Sequence, residues 1–297
     1  MDPAVTREIL KKVRQVELRT RRLVTDALAG EYHSVFKGRG MDFDEVREYT
    51  PGDEVRLIDW NVTARTGTPF IKKLREEREL TILLAVDVSA SGKFGSQVQS
   101  KRELAAEVAS VLAFSAIRNR DKVGLLLFTD EVEQFIPPTK GRQHVLRVIR
   151  EVLFHTPQRR GTNVASALDF INDVQSRRAV VFVISDFIEP PEASERLRLQ
   201  LRLTNKRHDL VLLHLRDRHE EELPAVGLLT LEDSETGEVL QIDTDSRRVR
   251  EEFASRARLR MDHFRQAGVD TLELRTGEPY SQALYTFFQN RSSRRLG

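Results

Sequence analysis

Between Leu80 and Gly92 the chain runs Leu-Thr-Ile-Leu-Leu-Ala-Val-Asp-Val-Ser-Ala-Ser-Gly. The unbroken apolar stretch Ile82–Val86, bounded by polar residues, predicts a short strand buried on both faces. Asp87, Ser89 and Ser91 then follow at every second position. A strand that feeds a helix ends at the carboxyl edge of a parallel sheet, where ligands of such folds bind. One carboxylate and two hydroxyls at that edge suit a hard cation such as Mg²⁺, which takes oxygen ligands in an octahedron and keeps several waters. The same residue types also cap helices, and the segment Gln97–Arg120 reads as a helix in need of a cap. By itself, Asp-x-Ser-x-Ser leaves both readings open.

From residue 79 onward the pattern alternates strand and helix, as in a parallel α/β sheet. Lys122–Phe128 reads as the second strand and Val132–Ile136 as an antiparallel edge strand. Gly141–Phe154 and Val164–Val174 read as helices, Ala179–Ile184 as a buried strand, Glu192–Leu203 as a helix and Asp209–Leu215 as a strand. A hairpin turns around Glu235-Thr236-Gly237 within Gly227–Asp243. Helix Ser246–Ala267, strand Val269–Leu274 and helix Tyr280–Phe288 close the chain. The fold class expected is α/β: a doubly wound, mostly parallel sheet over residues 79–297, with a hairpin insertion at about 223–245.

Two segments precede this core. Residues 1–30 predict one amphipathic helix, Asp2 capping it, Pro3 opening it and Gly30 ending it. Its basic face could lie on an anionic membrane, but the apolar stripe lacks Trp and Phe anchors, so a helix docked on its own domain is expected. Residues 31–78 carry the turn signals Gly38-Arg39-Gly40, Pro51-Gly52-Asp53 and Thr66-Gly67-Thr68. Between them Val55–Trp60 and Pro69–Ile71 read as short strands. Arg–Asp pairs buried beside Trp60 are expected to pin this segment, which should join the Gly227–Asp243 hairpin in one small β-rich subdomain.

Composition excludes several functions. With no cysteine among 297 residues there is neither a disulfide nor a thiolate ligand. A net charge of +2 gives no general drive towards nucleic acid. No apolar stretch approaches the ~18 residues that span a bilayer and no signal peptide is legible, so the expectation is a cytoplasmic chain. The seven histidines form no pair at metal spacing, and no Gly-x-x-x-x-Gly-Lys-Ser/Thr loop is present to hold a nucleotide.

Two later loops add weight to the first. Asp186 follows a buried strand, so it belongs at the same sheet end as Asp87. Thr162 precedes a helix that crosses back antiparallel to the strands, so that helix starts at the same end. Five oxygen side chains, Asp87, Ser89, Ser91, Thr162 and Asp186, are thus expected to converge, with only two of them charged.

This set resembles the metal-ion-dependent adhesion site of von Willebrand factor A domains: Asp-x-Ser-x-Ser, then a Thr, then an Asp, each after its expected element. The resemblance implies Mg²⁺ (or Mn²⁺) ligated by the hydroxyls of Ser89, Ser91 and Thr162, with Asp87 and Asp186 acting largely through water. Gly92 stands where many members carry a larger residue. Upstream, Arg47-x-Tyr49-x-Pro51-Gly52-Asp53, Arg56-x-Ile58-Asp59-Trp60 and Ala64-Arg65 resemble a bacterial family of unknown function whose members are typically found beside MoxR-type AAA+ ATPases. That resemblance implies a non-enzymatic interaction module with a MoxR-type partner, further von Willebrand factor A-like proteins as possible additional partners, and a chaperone-like or complex-assembly role. The competing reading is a Mg²⁺-dependent phosphohydrolase of haloacid-dehalogenase type. It needs a general acid two residues after the nucleophile, where this chain has Ser89, and a Lys near the phosphate, for which the sequence offers no convincing candidate.

Overall fold

The computed structural model of the chain describes residues 3–24, 30, 32, 35–36, 41–76, 79–95, 99–189, 193–221, 225–251, 264 and 267–296. In chain order the elements begin with α1 (Pro3–Leu23), β1 (Met41–Glu48), α2 (Trp60–Thr66) and β2 (Phe70–Glu76). There follow β3 (Thr81–Asp87), α3 (Lys101–Arg118), β4 (Lys122–Phe128), β5 (Val132–Thr139), α4 (Arg142–Phe154) and α5 (Val164–Val174). Then come β6 (Val180–Ser185), α6 (Ser194–Arg207), β7 (Asp209–Arg216), the single turn α7 (Arg218–Glu221), β8 (Leu228–Glu232), β9 (Val239–Asp243), β10 (Asp270–Arg275) and α8 (Tyr280–Leu296). The chain forms two compact units, Met1–Val35 with Thr81–Gly297, and Phe36–Leu80.

The larger unit is built on a six-stranded sheet in the order β10-β7-β6-β3-β4-β5, parallel except for β5, which runs antiparallel to β4. Counted from β3 this is the doubly wound 3-2-1-4-5-6 arrangement. From β3 the chain first winds to β4 and β5, then returns to the other side of β3 through β6. The strand order therefore reverses at the carboxyl end of β3. Residues Ile82–Val86 have no exposed surface, because helices cover both faces of the sheet. On one face Leu83 and Ala85 join a cluster that includes Leu126, Phe128, Leu168, Val183 and Phe264. At Gly124 an added Cβ would meet Leu83 Cδ2 at 2.8 Å and Pro138 Cγ at 3.0 Å, so any side chain there would force the packed neighbours of β4 to shift.

Helix α3 starts at Lys101, four residues later than the spacing suggests; residues 97 and 98 lie outside the described residues. Its cap is Ser100, which accepts the Glu103 N–H while the Glu103 carboxylate accepts the Ser100 N–H, a capping box. Asp87, Ser89 and Ser91 are thereby released from the capping role that their residue types allow. Helix α1 is tied to the core by ion pairs from Lys12 to Glu103, Arg19 to Glu107 and Arg142 to Glu17. Of the predicted helix 246–267, residues 247–251, 264 and 267 are helical, Ser246 stands before the first turn, and residues 252–263 and 265–266 lie outside the described residues. The same holds for Asp2 and residues 25–29 of the predicted first helix.

The smaller unit departs from expectation. β1 and β2 form an antiparallel ribbon, with β2 taking up the expected Pro69–Ile71 piece. Val55–Trp60 is not a strand: Val55–Leu57 makes one 3-10 turn and α2 begins at Trp60. Asp59 decides this, because its carboxylate accepts the N–H groups of Asn61 and Val62 at 3.0 and 3.2 Å and nucleates a helix. Gly67, at φ 78°, stops that helix in the left-handed region. Trp60, at the first helical position, is 67% exposed rather than buried. Arg47 does clasp Asp53 with two guanidinium contacts of 2.9 and 2.7 Å, but on the surface, where it closes the Thr50–Asp53 turn. The hairpin β8–β9 belongs to the larger unit and pairs only with itself among the described strands, so the joint β-rich subdomain is not formed. Each ribbon pairs its two strands with each other, and β2 adds a bridge from Ile71 to Ile58 on its other edge.

Candidate functional site

Every loop at the carboxyl edge of the sheet near β3 contributes an oxygen. Asp87 is the last residue of β3, and its carboxylate accepts the Ser89 N–H at 2.8 Å and the Ser185 hydroxyl at 2.6 Å. The Ser89 and Ser91 hydroxyl oxygens lie 3.0 Å apart. Ser89 also hydrogen-bonds Asp87, and Ser91 hydrogen-bonds Asp186. All five expected residues are buried; Asp87 is 8% exposed and the others less.

Asp186 leaves β6 through a turn in which Phe187 adopts φ 52°. A bulky residue in the left-handed region is strained. The Phe187 side chain holds it there, buried at the edge of the His214 and Phe264 rings. The turn lets Ser185 accept the Phe187 N–H and Asp186 accept the Ile188 N–H, which aims both side chains at Asp87 and its loop.

Thr162 arrives from the loop before α5. That loop is stitched to its neighbours by the Ala90 N–H on the Arg160 carbonyl, 3.0 Å, and the Asn163 N–H on the Thr129 carbonyl, 2.9 Å. Thr162 donates to Glu235 at 2.8 Å, from the tip of the β8–β9 hairpin. The structure thus brings Asp87, Ser89, Ser91 and Asp186 into one hydrogen-bonded cluster, and sets Thr162 on the adjoining loop with Glu235 against it.

Several members of the site carry no motif. Lys101, the first residue of α3 and only 1% exposed, reaches Asp186 and Glu220 at 2.5 Å each. The site therefore does hold a lysine, contrary to the reading of the sequence; what concealed it was a position 14 residues past Asp87 with no pattern around it. Glu220 comes from α7 after β7, and Glu189 accepts the Val164 N–H at the start of α5. Asp130 follows β4, beside Gly161. Only the hairpin tip Glu235-Thr236-Gly237 carries a readable local signal, and that signal concerns the turn rather than the carboxylate.

Electrostatics mark the cluster as short of positive charge. Burial, then the nearby Asp186 charge, pushes the Asp87 carboxyl up to about 6. Burial, then the charges of Asp87, Glu235 and Asp186, pushes Glu189 up to about 7. Glu235 is likewise pushed up to about 7 by burial, then by Asp186 and Asp87. For Asp186, burial acts in the same direction but the Lys101 ammonium outweighs it and holds the carboxyl below its usual range. Lys101 supplies one positive charge to the two carboxylates of Asp186 and Glu220, and the other carboxylates face one another.

The donor set fits a small divalent cation. Two cis ligands at 2.0–2.1 Å in an octahedron stand about 3.0 Å apart, which is the Ser89–Ser91 hydroxyl separation. All donors are hard oxygens. Among the described residues, one buried oxygen each of Asp130 (Oδ1) and Glu189 (Oε2) has no hydrogen-bond partner. Among the described residues no group of three or more His, Cys, Asp or Glu is arranged as a metal cage, so hydroxyls would have to complete the shell.

A doubly wound α/β unit with an oxygen-lined site at its switch point defines the class of protein. The family comes from the chain itself: residues 45–262 match the family described as "Protein of unknown function DUF58", and the chain belongs to it. An uncharacterized protein of Mycobacterium tuberculosis is 31% identical over 285 residues, which cover 94% of this chain and 88% of the relative. Among solved structures, an aerotolerance-related membrane protein from Bacteroides fragilis aligns over 72% of this chain and 99% of its own at 15% identity and TM-score 0.49. The SpRpn10 VWA domain aligns over 69% and 93% at 14% identity and TM-score 0.40. No helix among the described residues is long and apolar enough to cross a membrane.

Proposed function

We propose that this protein is a non-enzymatic, metal-dependent interaction module. Mg²⁺ or Mn²⁺ would be held by Asp87, Ser89, Ser91, Thr162 and Asp186, and the partner would be a cytoplasmic MoxR-type AAA+ ATPase in complex assembly or maturation. The observation that carries this is the hydroxyl pair of Ser89 and Ser91 at cis-ligand spacing amid carboxylates that lack a compensating charge. A divalent cation there supplies a strongly polarising contact for one external carboxylate. The chain's own residues do the rest. Ser185 and the Ser89 N–H hold the Asp87 carboxylate, the Phe187 turn holds Asp186, and Lys101 keeps Asp186 ionised in a buried setting.

Titration calorimetry with Mg²⁺ and Mn²⁺ should give one site that Asp87→Ala abolishes and Thr162→Ala weakens. Surface plasmon resonance against a MoxR-type ATPase should show binding that EDTA removes. Binding that survives EDTA but fades with salt would instead favour docking through the basic face of α1.

One observation favours the phosphohydrolase reading, namely Lys101 beside Asp186. Two features weigh against it. The acid position is Ser89, and the Lys101 ammonium is already engaged by two carboxylates. Metal-dependent turnover of p-nitrophenyl phosphate lost in Asp87→Asn would establish the enzyme; none is expected.

A further inference from the structure

The hairpin β8–β9 is fixed at its base and at its tip. At the base, buried Thr244 accepts the Val226 N–H and donates to the Gly227 carbonyl, which also receives the Thr244 N–H. Between base and tip the two strands, among the described strands, pair only with each other, and Leu228, Val239 and Leu240 are each more than half exposed. An isolated two-stranded ribbon is marginal in water, so such arms need anchoring at their ends.

The tip is pre-organised. Asp233 accepts the N–H groups of Glu235 and Thr236 at 2.8 and 3.0 Å, and its carbonyl accepts the Gly237 N–H at 2.7 Å. Gly237 supplies the φ of 75° that the turn requires. From Glu232 to Gln241 every residue is exposed except Glu235. This turn therefore presents one side chain inward, a carboxylate whose oxygen sits 2.8 Å from the Thr162 hydroxyl and whose other oxygen lies by Gly161. A separation of 2.8 Å is also close to the cis spacing of an octahedral Mg²⁺ shell.

We infer that Glu235 is an internal carboxylate ligand of this site, carried on the hairpin into the position that a partner's carboxylate must take. The inference rests on the cation reading of the five-residue cluster. It makes the hairpin a latch: a partner acid would displace Glu235 and free the ribbon, whose exposed Leu and Val side chains then flank the opened site.

The test uses the full chain with Mn²⁺ alone as probe. Affinity is read by calorimetry, and the number of fast-exchanging waters on the ion by water-proton relaxation. In Glu235→Gln, Mn²⁺ should bind at least about tenfold more weakly, since outer-shell partners alone are worth about 10–100-fold, and the ion should gain one water. Glu238→Gln, on the exposed side of the same turn, should match wild type in both. Amide exchange in β8 and β9 should slow on Mn²⁺ addition in wild type and not in Glu235→Gln. Asp87-dependent Mn²⁺ binding that Glu235→Gln leaves unchanged in affinity and water number would overturn the internal ligand while leaving the cation site standing. Weaker binding with no added water would overturn it too, in favour of Glu235 merely orienting Thr162. Absence of Asp87-dependent Mn²⁺ binding in wild type would overturn both readings together.

Discussion

Lys101 and Asp186 stand 2.5 Å apart with 1% and 3% of their side chains exposed, whereas Arg47 and Asp53 stand 2.7 Å apart with 44% and 18% exposed. Both pair a base with an acid, in different compact units of the same chain. Water sets them apart. The surface pair closes a turn, and its charges would remain well solvated if it opened. The buried pair could not part without leaving an ammonium and two carboxylates, those of Asp186 and Glu220, in a low-dielectric setting. One pair shapes a loop; the other governs the charge of a site.

The strongest way to break this contrast is Lys101→Met. It should destabilise the fold by about 3–5 kcal/mol, the range for removing one partner of a buried pair. Urea unfolding measures it, and Mg²⁺ should restore more of the midpoint in the variant than it adds to wild type. A loss under about 1 kcal/mol would put both pairs in the surface class.

His208 sharpens the comparison as a buried base that hydrogen-bonds no acid among the described residues. It has no exposed surface, and its Nδ1 accepts the Ala179 N–H at 3.3 Å. Burial, then the charges of Arg207 and Arg178, pushes it down to about 4. The unfolded imidazole takes its proton near pH 6.5, so this contribution is fully present above that pH and is lost as pH falls towards 4. Stability should drop on the order of 2–3 kcal/mol across this window, and His208→Gln should flatten that part of the profile in urea melts.

At the surface pair, Arg47 and two bonds from Thr50 hold the Asp53 carboxyl at about 2. Its contribution is present above the usual carboxylate range near 3.8 and is lost only as pH falls through about 2. Carboxyl NMR should find that low midpoint, rising towards ordinary values in Arg47→Gln with little change in the unfolding transition. The smallest effect is expected at Trp60: an emission maximum typical of exposed indole, and an unfolding curve in Trp60→Phe that overlays wild type.

Much of the sheet was legible because buried parallel strands are short unbroken apolar runs. Lys122–Phe128 and helix Val164–Val174 match to the residue, the last helix runs on to Leu296, eight residues past the expected Phe288, and the other elements from β3 onward that are described throughout differ by at most four residues at their ends. The smaller unit was harder to read. Val55–Trp60 is β-prone in composition, yet Asp59 overrides it by capping a helix, a local bond that outweighs weak strand propensity. Trp60 then lies at that helix's first position, exposed, where a count of apolar residues would have buried it.

Period, cap and turn are local properties, so the sequence by itself determined the alternation of elements, the order of loops at the carboxyl edge, and hence the meeting of Asp87, Ser89, Ser91 and Asp186. Membership of Lys101, Glu220 and Glu235 was decided only by the tertiary structure. Lys101 finds Asp186 across 85 residues and Glu220 across 119, and Thr162 finds Glu235 across 73. Nothing in the vicinity of a lysine or glutamate along the chain separates a solvated side chain from one whose desolvation is offset by a distant opposite charge. That distinction exists only once the sheet has brought the loops to one edge and excluded water between them.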